Sequence, residues 1–192
     1  MSGPHVLTLA EVEAAAEEYG ANCGPAALAA VLGLSLAEIR PHLGDFEAKG
    51  YMNPAMMLAA LRSLGVKWRA WPSELFVPVA WPLPGLCRVQ WDGPWMAPAV
   101  PAAARYKHTH WVGARIKEVA FGGTTASWIE IFDVNAIALA SHGWISVELW
   151  RDRLVPLILK ECQPKASGAW HLTHRLQVVS GPADGLAEEV PE

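Results

Sequence analysis

The chain has 192 residues, 52% of them hydrophobic and 18% charged, with a formal net charge of −4 at pH 7. That length fits one domain with a sizeable core, and the charged share lies below the roughly 25% of an average soluble domain. The acidic balance and the lack of a basic run exclude phosphate-tracking nucleic-acid binding as the main role.

The N-terminus shows no positive region followed by an apolar core, and no stretch reaches the roughly 18 consecutive apolar residues of a spanning helix. A soluble, unexported, cytoplasmic protein without a membrane partner is therefore expected. Cys23, Cys87 and Cys162 are odd in number and far apart, which fits a reduced compartment and no disulfide framework. None has zinc-ligand spacing, so no metal or cofactor is expected.

Thr8 and Glu11 form a capping-box pattern that opens a helix running to Tyr19, before Gly20. The next helix is Cys23 to Leu32, nearly all Ala, Leu and Val without a polar face, and so expected to be buried on all sides. Gly24 lets the chain approach closely, Pro25 supplies a preset φ where no helical N–H bond is lost, and Gly33 ends the helix. Ser35 and Glu38 make a second capping box, with a stop at about Arg40 before Pro41. Asn53 caps a helix with Pro54 in its first turn, running Ala55 to Leu64 and closed by Gly65.

Beyond Gly65 the character turns extended. Strands are predicted at Val66 to Trp71, Leu86 to Trp91, Tyr106 to Lys117, Ser127 to Asp133 and Trp170 to Val179. Pro-rich segments, Pro72 to Pro84 and Gly93 to Ala104, separate the first three. Gly122-Gly123 reads as a hairpin turn. A helix distorted at Pro156 is predicted over Val147 to Lys160, and the acidic end, 181–192, reads as a disordered tail behind a single domain of residues 1–180. Helices first, then hairpin-connected strands, give α+β with an antiparallel sheet packed on the early helices.

Cys23 begins its helix, where partial positive charge and free N–H groups lower a thiol pKa and can hold an oxyanion. The competing reading is a small buried hydrophobe. A nucleophilic cysteine needs a base and a group to orient that base. Among seven histidines, His108 and His110 share one face of a strand, and His110 opens the apolar run Trp111-Val112-Gly113-Ala114, which makes it the better base. The Gly122-Gly123 turn brings Asp133 to nearly the same distance along the neighbouring strand, as the orienting carboxylate. Asn135 is the reserve. Taken singly, His110 also reads as a core histidine and Asp133 as a turn former.

Asn22-Cys23-Gly24-Pro25-Ala26-Ala27-Leu28, His110-Trp111-Val112 and Ile131-Phe132-Asp133 together resemble the papain-like cysteine peptidases. Within them the chain is most similar to the bacteriocin-processing peptidases that cut after a double-glycine leader and to their stand-alone relatives, some carried by bacterial viruses. The resemblance covers Ala21 to Leu32 closely and residues 106–135 in pattern. It implies a papain-like fold, with Cys23 as nucleophile, His110 as base and Asp133 as orienter. Such families place a Gln six residues before the cysteine as an oxyanion donor. Here that residue is Glu17, an acceptor when ionised, which leaves Asn22 and the Cys23 N–H as the candidate oxyanion donors.

The leading expectation is a cysteine hydrolase acting on a peptide or isopeptide bond of a peptide or protein substrate. The alternatives are a weak or inactive papain-like module with a binding or structural role, virion-associated if carried by a bacterial virus, and an acyl or amide transferase using the same triad. The Pro-rich segments, with Trp81 and Trp95, and the neighbouring Trp111 are expected to border the substrate groove. Surface crossovers with the tryptophans folded back on the core are the competing reading.

Overall fold

The computed structural model describes residues 4–71 and 81–181. Pro72, Pro78 and the acidic segment beyond Gly181 lie outside the described residues.

The helical half follows its caps closely. Helix α1 is Leu9–Tyr19, with the Thr8 side chain accepting from the Glu11 N–H at 3.2 Å and Gly20 closing it at φ 75°. The expected reciprocal half of that capping box is absent. The Glu11 carboxylate instead accepts from the Leu36 N–H at 2.8 Å and meets His5 Nε2 at 2.7 Å, tying α1 to the next helices. A carboxylate that satisfies a more distant unpaired N–H outweighs a local cap.

Helix α2 is Cys23–Leu32, closed by Gly33, and α3 is Leu36–Ile39, where both halves of the Ser35–Glu38 box form. Pro41 then tightens the chain into a single 3₁₀ turn over Arg40–His42. A short helix, α4, Phe46–Lys49, was not anticipated; α5 is Pro54–Ser63, capped by the Asn53 side chain on the Met56 N–H at 3.0 Å.

The sheet has six strands: β1 Lys67–Ala70, β2 Gly85–Trp91, β3 Thr109–Phe121, β4 Thr124–Phe132, β5 Trp144–Ser146 and β6 Trp170–Ser180. Their order across the sheet is β1-β6-β2-β3-β4-β5, and every neighbouring pair is antiparallel. The β3–β4 hairpin turns at Gly122 and Gly123, both at positive φ (57° and 83°), which a tight two-residue hairpin requires. Part of the second Pro-rich segment is helical, α6, Ala102–Arg105, where Pro101 starts an alanine run.

Strand β2 is buried along its whole length, and its side chains alternate between two cores. Leu86, with Trp111, Phe132, Trp144 and Leu176, packs against α1 to α5. Cys87, Val89 and Trp91, with Val112, Ala114 and Ile131, face the opposite side. That side is covered by one helical stretch: α7 Val147–Leu149, a π-type turn Trp150–Leu154, and α8 Val155–Cys162. The wide turn ends just ahead of Pro156, whose ring clashes with the carbonyl four residues earlier and whose nitrogen cannot donate to it. The expected distortion is there, one turn N-terminal to the proline.

Two glycines set the docking of α2. A Cβ on Gly113 would lie 2.6 Å from Val31 Cγ2, and one on Gly24 would lie 2.6 Å from Met52 Cβ. Both backbones approach closer than any side chain allows, which brings the first turn of α2 to the start of β3. The molecule is thus α+β, with helices on both faces of an antiparallel sheet. Among the described residues no single helix is long and apolar enough to cross a membrane.

Candidate active site

Strands β2 and β4 finish, and β3 starts, at the same end of the sheet, and the N-terminus of α2 arrives there from the first helical layer. Gly113 pairs with Phe132, so the next step of the ladder sets Asp133 opposite Val112, two residues from His110 on the same strand and face. Direct register between 110 and 133 was expected; the two are diagonal neighbours instead. That spacing is still within reach of long side chains.

His110 Nε2 lies 3.0 Å from Asp133 Oδ1. The ring N–H is not aligned on that oxygen, so the contact is an ion pair more than a straight hydrogen bond. It leaves Nδ1 as the nitrogen available to the thiol. Cys23 and His110 line the same cleft, where each favours the charged form of the other and the Trp111 backbone N–H also lowers the thiol.

Asp133 is completely buried and densely held. Its Oδ1 accepts from the Asn135 N–H and Nδ2, each at 2.9 Å, and its Oδ2 accepts from the Trp150 indole at 2.8 Å. Burial pushes the Asp133 carboxyl up, but the His110 cation and these donors outweigh it and hold it below the usual range. Burial likewise opposes the charge on His110, yet Asp133 and Cys23 raise it well above an ordinary imidazole. For Cys23 burial raises and His110 lowers, with a net fall below an ordinary thiol. Each of the three shifts favours the charged form of its group: thiolate, imidazolium and carboxylate.

The cleft over the thiol has a volume of 330 Å³ and is walled by His110, Trp91, Asn135, Ile158 and Gln163. The Trp91 ring stacks on His110 with centroids 6.1 Å apart. Asn135, the reserve orienter, holds Asp133 and does not replace it. Among the described residues no cluster of three or more His, Cys, Asp or Glu could hold a metal.

Several expected roles are corrected by the packing. Asn22 caps α2: its Oδ1 accepts from the Gly24 N–H at 3.1 Å and one hydrogen of its Nδ2 goes to the Gly50 carbonyl at 3.1 Å, which leaves the second Nδ2 hydrogen as a candidate oxyanion donor at the cleft that Asn22 lines. The Cys23 N–H has no hydrogen-bond partner among the described residues and is the other candidate donor. Glu17 is exposed on α1 and outside the cleft.

Trp81 is only 7% exposed and packs with Trp150 and Trp170 in the core beneath α8. Trp111 is buried on the other face, its indole donating to the Met52 carbonyl at 2.8 Å. Trp95 folds back, donating to the Trp91 carbonyl at 2.7 Å and stacking on His108, whose Nδ1 lies 2.7 Å from Gln163 Oε1. No side chain of the three expected groove tryptophans lines the cleft. Trp91 does, and its place at the end of a strand beside a histidine strand was the available signal. Trp150, which clamps Asp133 across 17 residues, left no sequence signal.

No family model, curated protein or solved structure matches this chain.

Proposed function

We propose that the chain is a papain-like cysteine hydrolase acting on a peptide or isopeptide bond. The observation that carries this reading is the row Cys23–His110–Asp133, with the thiol lowered at a helix N-terminus and the carboxylate fully buried behind the base.

In this reading the Cys23 thiolate attacks the carbonyl carbon, and its S–C bond forms as the C=O electrons move to oxygen. The Cys23 N–H and the dipole of α2 stabilise that oxygen. His110, protonated at the start, gives its proton to the leaving amine as the C–N bond breaks. Water then loses a proton to His110 and displaces the thiolate from the acyl-enzyme, releasing a carboxylic acid. Asp133 keeps the ring oriented and favours its charged form.

A second reading, a weak or inactive module of the same ancestry, is favoured by Glu17, an exposed acceptor outside the cleft at the position where such families place a Gln donor. Loss of one oxyanion donor costs about 100- to 1000-fold in rate. Labelling by an epoxysuccinyl peptide probe and, in a separate untreated sample, digestion of a peptide library separate the two. The hydrolase labels on Cys23 and cleaves, and a Cys23→Ala chain does neither. Labelling without cleavage supports the weakened module, and the absence of both contradicts the hydrolase.

A further inference from the structure

Thr109 borders two hollows. On one side is the cleft over Cys23; on the other is a cavity of 470 Å³ walled by Tyr51, Met52, Asn53, Arg88, Tyr106 and Lys107. Met52 packs directly over Gly24, the residue after the nucleophile. The cavity therefore lies beside the first turn of α2, with Met52 and Thr109 between it and the cleft over Cys23.

Arg88 is only 7% exposed, and it projects from β2 toward this cavity. Its Nη2 donates to the Tyr106 carbonyl and to Thr109 Oγ1, each at 3.1 Å, while its buried Nε has no partner. No carboxylate stands in ion-pair distance of it among the described residues, and neither Asp nor Glu lines the cavity. Lys107 adds a second positive charge at the exposed mouth. A buried guanidinium without a counter-ion is costly unless something binds it. Burial does push its pKa down, while Cys23 and, less, Tyr106 favour its charge.

We propose that this cavity is a substrate subsite in which Arg88 binds a carboxylate carried close to the scissile bond. With Nη2 held by Tyr106 and Thr109, Nη1 is left to donate to a carboxylate in a charge-assisted hydrogen bond. The Tyr51 and Tyr106 rings and Met52 supply apolar walls for the carbon stem. The carboxylate can belong to an acidic side chain or to a chain terminus. The inference rests on Cys23 being the nucleophile, since that makes the cavity a neighbour of the reacting bond.

Two measurements on the full chain test it. The first compares Cys23 alkylation by iodoacetate and by iodoacetamide, reagents of one size and different charge. The ratio of the two rates is expected to fall about tenfold in Arg88→Gln and to recover in part in Arg88→Lys. An unchanged ratio, with Cys23 still reacting, overturns the subsite and leaves the nucleophile standing.

The second measurement does not need a reactive thiol. In a Cys23→Ala chain, calorimetry compares N-acetylglutamate α-amide, N-acetylglutamine and N-acetylglutamine amide. The first two carry one carboxylate each, on the side chain or at the terminus, and the third carries none. Tighter binding of either acid, by fivefold or more, supports the subsite and says which carboxylate it takes. Equal binding of all three overturns it, whatever Cys23 does.

Discussion

The Trp150 indole N–H donates to Asp133 Oδ2 at 2.8 Å, so a residue of the π-type turn ahead of Pro156 holds the carboxylate that faces His110. The fold thereby connects a helix irregularity on one face of the sheet to the charge row at its end. Replacing Trp150 by Phe keeps most of the ring volume and removes that donor. A hydrogen bond to a buried charge contributes about 1.5–3 kcal/mol, which for a chain of this size is a fall of about 3 to 12 °C in Tm. Scanning calorimetry of Trp150→Phe checks this.

His110 and His108 make opposite predictions although they share a strand face. Without His110 the main influence that lowers the Cys23 thiol is gone and only the Trp111 N–H is left against burial, so the thiol pKa should rise and the thiolate share at neutral pH should fall. Alkylation of Cys23 by iodoacetamide in His110→Ala should fall at least tenfold. His108 is occupied by Trp95 and Gln163, so His108→Ala should leave most of the rate. The reverse outcome would place the base two residues away.

Asp133→Asn removes the carboxylate but keeps its shape. An opposite charge at this distance moves a pKa by about 1 to 3 units, so the His110 pKa should fall and the pH midpoint of Cys23 alkylation should rise. Asn135→Ala removes only one of three side-chain or backbone donors on the same carboxylate and should move that midpoint less.

The same pair ties stability to pH. The Asp133 carboxyl is lowered from 3.8, so its contribution is present above that value and is lost as pH falls through its folded pKa. His110 is raised from 6.5, so its contribution is complete below 6.5 and is lost as pH rises through its folded pKa. Thermal melts across pH should show a maximum between these limits that flattens in Asp133→Asn.

Gly24→Ala tests how the cysteine is set in place. Its Cβ would meet Met52 Cβ at 2.6 Å, forcing apart the backbone that carries Cys23 and the segment whose carbonyl holds Trp111. Overpacking of this kind costs about 1–3 kcal/mol. A urea melt of Gly24→Ala should show a lower midpoint with an unchanged slope.

What could be read from sequence was local. Asn22, Ser35, Asn53, Gly33 and Gly122-Gly123 each act on their own neighbours through a cap or a positive φ, and the helices and the hairpin follow them. The placing of β6 between β1 and β2 depends on pairings 79 to 113 residues apart, which no local pattern records. Cys23, His110 and Asp133 were legible because a chemical need links their residue types. Trp81, Trp95 and Trp111 were misassigned because an aromatic face suits a groove and a core equally. Packing decides between them: Trp111 turns to Met52, Trp95 to Trp91, and Trp81 to Trp150 and Trp170. Arg88 gave no signal, since its isolation from acids exists only in three dimensions.

The central claim is that Cys23 is a thiolate at neutral pH, and the chain carries its own controls. Cys162 is exposed, whereas Cys87 is buried with its thiol pushed far up by desolvation. Brief iodoacetamide treatment at pH 6.5, read by peptide mass spectrometry, ranks the three by thiolate content against access. Cys23 is expected to label first, at least tenfold ahead of the more accessible Cys162, with Cys87 unmodified. Cys162 labelling ahead of Cys23 would contradict the account.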